Sequence, residues 1–209
     1  MNKYESEHLD RLRHHLAGCT VMLKRNGAFP LDGPCTIEAV GNGVRFTVKG
    51  GTGSGEVNSR YFVNIEEGLK NEGFTLYNTD WSTAYGYYRD EAKEAFFEDI
   101  KTTAAENKEN IISASMGAVL LESEYDIPLK FNADAAIYVV ARNAGEGNDR
   151  VEKEGDFRLT RSEVRDILAM DKRYAKFMLV INAGGPVDLT PVMSVGNILV
   201  LSQLGPEAS

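Results

Sequence analysis

The run Ala135-Ala136-Ile137-Tyr138-Val139-Val140-Ala141 is apolar and rich in β-branched side chains without a break. A half-exposed strand alternates polar and apolar residues, and this one does not. It therefore reads as a strand buried on both faces, the kind found inside a parallel sheet. It is followed at once by Arg142-Asn143-Ala144-Gly145-Glu146-Gly147-Asn148-Asp149-Arg150, an abrupt polar loop. In open α/β sheets, ligands sit at the loops that leave the carboxyl ends of strands. Glu146 stands at such an exit, and Gly145 and Gly147 give the backbone a tight turn with space on both sides of the carboxylate.

The remaining elements arrange themselves around that strand. Leu9, Leu12 and Leu16 recur at helical spacing among charges, which predicts an amphipathic helix over residues 4–18. His14 and His15 are neighbours on that helix and point apart, so they form no shared ligand pair. Thr36–Val40 reads as a strand ended by Gly41-Asn42-Gly43. Residues 65–73 read as a helix closed by glycine, with a strand over residues 74–77. Residues 82–108 are helical and highly charged, and their aromatics (Tyr85, Tyr87, Tyr88, Phe96, Phe97) read as a packing face. Residues 109–132 carry little pattern beyond a short helix before Pro128, and the acidic stretch from Glu122 to Asp126 reads as solvated. Thr160 with Glu163 forms a capping box that opens a helix running to about Tyr174. Residues 176–182 form a second buried strand with a glycine-rich exit, and residues 197–201 a last strand. Strands alternating with helices define an α/β fold: a mostly parallel sheet sandwiched between helices, three layers in α/β/α order.

One further stretch invites a ligand. Gly50-Gly51-Thr52-Gly53-Ser54-Gly55 has four glycines in six residues and can bring backbone N–H groups close to a bound group. No Gly-Lys-Ser/Thr follows, and the Gly-x-Gly-x-x-Gly spacing fails, so neither nucleotide-binding motif is met. A loop that lets strands pass closely is the competing reading. The formal net charge of −8 argues against nucleic acid or an anionic membrane as the main partner. Cys19 and Cys35 have no metal or redox spacing and read as reduced thiols of a cytoplasmic protein. No signal peptide and no bilayer-length apolar run is apparent, and the residues call for no cofactor and no metal.

Three segments, in order, resemble the α/β domain of glycoside hydrolase family 3, the β-glucosidase family. They are Val21–Gly27 with Pro30-Leu31; the Gly50–Gly55 loop with Val57-Asn58; and Arg142–Arg150 with Gly155-Asp156-Phe157 and Asn182–Asp188. The match runs from about residue 16 to Gly205, while residues 80–132 carry no matching motif. The resemblance implies a two-domain enzyme that cleaves β-linked sugars with retention of configuration. A (β/α)8 barrel supplies an aspartate nucleophile, and the α/β domain closes over the pocket with a glutamate acid/base. By the matching position that glutamate is Glu146, with Glu152 or Glu154 as the fallback. Retaining chemistry sets its two carboxyl groups about 5–5.5 Å apart, and the acid must be surrounded so that it keeps its proton.

Ser54 either bonds a sugar hydroxyl or is a turn serine. Asp149 and Arg150 read as a pair that fixes the loop, with contact to the barrel domain as the other reading; Asp156 reads as an anchor for the following helix N-terminus, and Asp188 as a structural turn residue. Asn78-Thr79-Asp80-Trp81 imitates the family's nucleophile strand end, but it follows a strand of the α/β domain and reads as an exit turn. A barrel needs about 200 residues of its own. Residues 1–209 are therefore expected to be a single α/β domain of a larger enzyme, cut near its C-terminal end; the start at Met1 fits a domain set ahead of the barrel, and a fragment with an added methionine fits it equally. The expected partners are a β-glucoside or related oligosaccharide and that barrel. The isolated chain is expected to be inactive. A non-catalytic carbohydrate-binding or regulatory module is the alternative.

Overall fold

The structure is a computed structural model that describes residues 2–51, 58–59, 61–115, 118–143 and 150–205. Six strands form one sheet: β1 (Val21–Lys24), β2 (Thr36–Val40), β3 (Thr75–Tyr77), β4 (Ala135–Arg142), β5 (Phe177–Ala183) and β6 (Ile198–Val200). Their order across the sheet is β1-β6-β5-β4-β2-β3. All neighbours run parallel except β1, which lies antiparallel along β6. The helices are α1 (Lys3–His15), α2 (Ile65–Asn71), α3 (Thr79–Asn107), α4 (Ile111–Ser115) and α5 (Arg161–Arg173).

Every residue of β4 and β5 is buried, as the unbroken apolar runs require. Strand periodicity then divides β4 between two cores. Ala136, Tyr138 and Val140 face a core that includes Trp81 and Tyr85 of α3 and Ile167 and Met170 of α5. Ala135, Ile137 and Val139 face a second core with Met178 and Val180 of β5, against which Ile65 and Leu69 of α2 pack. Helices therefore cover both faces, giving the expected three layers. Burying side chains such as Val139 and Val140 completely contributes about 1.5–3 kcal/mol each, so the central strands carry much of the stability.

Several elements depart from the sequence reading. The leucine spacing over α1 builds no core face: no residue of that helix is fully buried, and Leu12 is exposed. Asn78-Thr79-Asp80-Trp81 is no exit turn. Asn78 is the N-cap of α3, which is 29 residues long, and Trp81 is buried in the core, stacked on Tyr85. The side chain of Asp80 is 87% exposed and pairs with Lys130 at 3.1 Å. The aromatics of α3 do not all pack, since Tyr87 and Phe97 are exposed.

The acidic stretch is not a solvated run. Tyr125 is buried, with its hydroxyl 2.7 Å from that of Tyr138. Glu124 accepts the backbone N–H groups of Arg161 and Ser162, both at 2.9 Å, at the start of α5. These bonds, with that from the Ser162 hydroxyl, hold the Glu124 carboxyl below its ordinary pKa against the opposing effect of burial. Only Asp126 behaves as expected for a solvated acid. Extended chain from residue 118 to 132 thus lines the α3 and α5 side of the sheet. At its far end the N–H groups of Lys130 and Phe131 donate to the wholly buried carboxylate of Glu38 at 3.0 Å each.

Candidate active site

The site is built where β2, β4 and β5 end. At the β2 exit, the Asn42 side chain bonds the backbone of Ala141 twice. Its amide donates to the Ala141 carbonyl (2.9 Å), and its oxygen accepts the Ala141 N–H (2.7 Å). Gly41 precedes it with φ +98°, and a Cβ there would lie 2.4 Å from the Val139 carbonyl oxygen. Only glycine allows the β2 chain to turn this close against β4. At the β5 exit, the Asn182 oxygen accepts the Val48 N–H (2.6 Å). Its amide donates to the carbonyls of Val48 (2.9 Å) and Ser202 (2.6 Å). Two asparagines thus secure the chain that leads from β2 toward the glycine-rich loop.

The β4 exit is held by charge. Arg142 is the last residue of β4 and is buried, rather than the first residue of a polar loop. Its guanidinium donates to both oxygens of Glu163, at 2.9 and 2.5 Å, and to the carbonyls of Ala141 and Asp156, both at 3.0 Å. The two side chains of this ion pair are 3% and 4% exposed. Burial opposes the Arg142 charge, but the charge and hydrogen bonds of Glu163 outweigh it and raise the pKa further. Glu163 is also the capping-box acid of α5, accepting the Thr160 N–H at 2.8 Å. One carboxylate therefore joins the end of β4 to the start of α5.

Arg150, where the described chain resumes, bonds the same segment. Its Nε donates to the Asp156 carboxylate, and its Nη2 to the Asp156 carbonyl at 2.6 Å. The second carboxylate oxygen of Asp156 accepts the Val151 N–H at 2.7 Å. Asp156 is thus a clamp for Arg150, not the anchor of a helix N-terminus as its sequence position suggests; Glu124 and Thr160 serve α5. Arg142 and Arg150 bracket residues 144–149, and both end on Asp156. Neighbouring Gly155, at φ +85°, lies so close to Glu122 that a Cβ would stand 2.4 Å from the Glu122 carbonyl oxygen.

Glu146 and Ser54, the residues expected to be catalytic and substrate-binding, both lie outside the described residues, as does Asp149. The fallback acids are described. Glu152 pairs with Arg158, and Glu154 lies 3.7 Å from Arg161, each with a largely exposed side chain. Asp188 is a turn residue as expected: its carboxylate accepts the Thr190 N–H at 2.9 Å, and bonds to Thr190 hold its carboxyl pKa down.

One acid beside the site escaped sequence reasoning. Glu122 accepts a hydrogen bond from the Tyr85 hydroxyl of α3. Burial, helped by the nearby Glu163 charge, raises its carboxyl pKa against the pull of Arg142, Tyr85 and Asn42. Its position in an acidic run gave no sign of this. Arg142 did leave a signal, because a cation closing a fully buried strand must find a partner. Among the described residues no group of three or more His, Cys, Asp or Glu is placed to hold a metal ion.

An open, mostly parallel sheet whose strand exits are secured by asparagines and by arginines, Arg142 among them buried, defines an α/β domain that presents loops along one edge. The chain belongs to glycosyl hydrolase family 3, its residues 20–209 matching the C-terminal domain of that family. It is 28% identical over 185 residues to a β-glucosidase of Ruminococcus albus, covering 88% of this chain and 18% of that protein. It is also 28% identical over 193 residues to β-glucosidase A of Butyrivibrio fibrisolvens, covering 81% of this chain and 22% of that protein. The solved β-glucosidase 3B of Thermotoga neapolitana, in complex with glucose, superposes with a TM-score of 0.70 at 26% identity. That match covers 97% of this chain and 28% of the other. The chain thus spans about a fifth of the length of its curated relatives.

Proposed function

We propose that this chain is the acid/base-bearing part of a retaining β-glucosidase-type hydrolase. Glu146 is its proton donor, and a (β/α)8 barrel supplies the attacking carboxylate. The observation that carries this reading is the double clamp. Arg142 and Arg150 hold both ends of the 144–149 stretch on Asp156, at the exit of the central strand. A proton donor must sit within hydrogen-bond reach of the leaving oxygen, and a misplacement of about 1 Å can cost 10²-fold in rate. Fixed loop ends meet that demand better than a free surface loop would.

The chemistry follows from two carboxyl groups on opposite sides of one bond. The barrel carboxylate attacks the anomeric carbon while Glu146 protonates the departing oxygen. Water then enters, deprotonated by the same Glu146, and frees the sugar with its configuration retained. The described sheet is open and six-stranded. On this reading the attacking group lies on another part of the enzyme, and this chain alone has half of the pair.

The test is hydrolysis of an aryl β-glucoside by this chain, alone and joined to its barrel. Activity is expected only in the joined form. Full activity from the chain alone would overturn the division of roles. A joined form that binds the glucoside without cleaving it would favour a carbohydrate-binding module.

A further inference from the structure

α1 (Lys3–His15) is a helix whose apolar face is left uncovered: none of its residues is buried. Leu9, Leu12 and Leu16 stand at spacings of three and four, so they form one stripe along the helix and its end. Leu9 and Leu16 are half-buried, and Leu12 is 37% exposed. A helix of 13 residues is marginal in water by itself and draws its stability from packing of an apolar face. A short turn, Leu16–Cys19, then leads to the edge strand β1, where Val21, Met22 and Leu23 are exposed as well. The part of the chain that matches the family begins at residue 20, so α1 lies ahead of it.

The charges of α1 are divided along its length. Lys3, Glu5, Glu7 and Asp10 occupy the first part, three carboxylates against one cation. Arg11, Arg13, His14 and His15 occupy the second part, with no acid among them. Two ion pairs form within the helix, Lys3 with Glu7 at 3.7 Å and Arg13 with Asp10 at 3.8 Å, and all four side chains are more than half exposed. Pairs of this kind contribute little and exchange partners readily. Two such helices laid antiparallel bring their leucine stripes together and set each acidic part against the basic part of the other. A parallel arrangement sets like charge against like. The antiparallel one needs only a two-fold axis and one patch used twice.

We propose that α1 is a self-association surface, on which the α1 of a second copy of this chain docks antiparallel. The leucine stripe supplies the apolar contact, and the divided charge fixes the direction. The formal net charge of −8 opposes the approach of two copies. At physiological salt, screening over about 8 Å confines that repulsion to surfaces that nearly touch, and there α1 presents complementary charge. A 13-residue helix is about 20 Å long, so the interface is small and the pairing weak. None of the residues involved takes part in the proposed chemistry.

The test is sedimentation equilibrium of the full 209-residue chain between about 10 and 500 µM, a range that brackets an expected Kd on the order of 100 µM. Leu12→Glu puts a charge on the stripe and should weaken the dimer at least about tenfold. Since α1 buries no residue, the variant should keep the fold, which its thermal unfolding verifies. Arg11→Glu with Arg13→Glu makes both parts of α1 acidic, and Glu7→Lys with Asp10→Lys makes both parts basic. Each double variant alone should stay monomeric, and an equimolar mixture of the two should form the dimer again. A parent chain that is monomeric throughout the range would overturn the proposal and leave the stripe to another part of the enzyme. So would a dimer that Leu12→Glu leaves unchanged, or a mixture of the two charge variants that does not associate.

Discussion

Arg142 shows how one residue couples the core to the site. Its guanidinium gives four of its five N–H groups to Glu163 and two carbonyls. A buried pair adds little over an apolar pair of the same volume, yet removing one partner strands the other. Arg142→Met should therefore cost about 3–5 kcal/mol in urea unfolding. Adding Glu163→Leu should recover part of that loss, because the orphaned carboxylate goes with it. A double variant as unstable as the sum of the single changes would show that the two side chains act independently.

Glu122 allows a second prediction at this scale, with a definite sign. Its carboxyl pKa is raised in the folded chain, so the folded state binds that proton more tightly than the unfolded state. Its contribution to stability is full below the unfolded pKa and is lost as pH rises through the folded value. Glu122→Gln keeps an oxygen for Tyr85 and removes the titration. The variant should therefore gain stability relative to the parent as pH rises from about 4 to 8, read from chemical denaturation midpoints. A pH-independent difference would mean that the carboxyl titrates normally. The residue scale was only partly legible in the sequence. Glu146 was singled out by its strand exit and lies outside the described residues; the acidic partners of Arg142 and Arg150 lie 6–21 positions away, and nothing local announces them.

Among the elements, those with a strong local pattern were readable. The apolar runs of β4 and β5 declared strands buried on both faces, and the Thr160–Glu163 box declared the start of α5. The segment 118–132 was not readable, because its order comes from distant partners. Glu124 lies on the α5 N-terminus, Tyr125 sits under α3, and two N–H groups reach Glu38. The edge strand β1 was missed as a strand for the same reason: its pairing with β6 joins residues 21 and 200. Turn glycines permit a prediction of contrast. Gly27 and Gly41 both have φ above +90°, but only Gly41 is crowded. Gly27→Ala should cost about 1–2 kcal/mol from backbone strain alone. Gly41→Ala should cost about 1–3 kcal/mol more, from the clash with the Val139 backbone. Equal losses in thermal unfolding would mean that β2 and β4 can separate at no penalty.

At the scale of the whole molecule, the fold class followed from the order of strands and helices, and the family from three glycine-bearing segments. The proposed division of chemistry between two domains has its support in the clamp at the end of the central strand. General acid catalysis matters most when the leaving group is poor, since a good leaving group departs without a proton. The direct measurement is made on the chain joined to the proposed (β/α)8 barrel, with Glu146→Gln, across a series of aryl and alkyl β-glucosides. A loss of at least about 10²-fold in kcat/KM is expected for alkyl leaving groups, and a far smaller loss for dinitrophenyl. An equal loss across the series, or none, would contradict Glu146 as the proton donor.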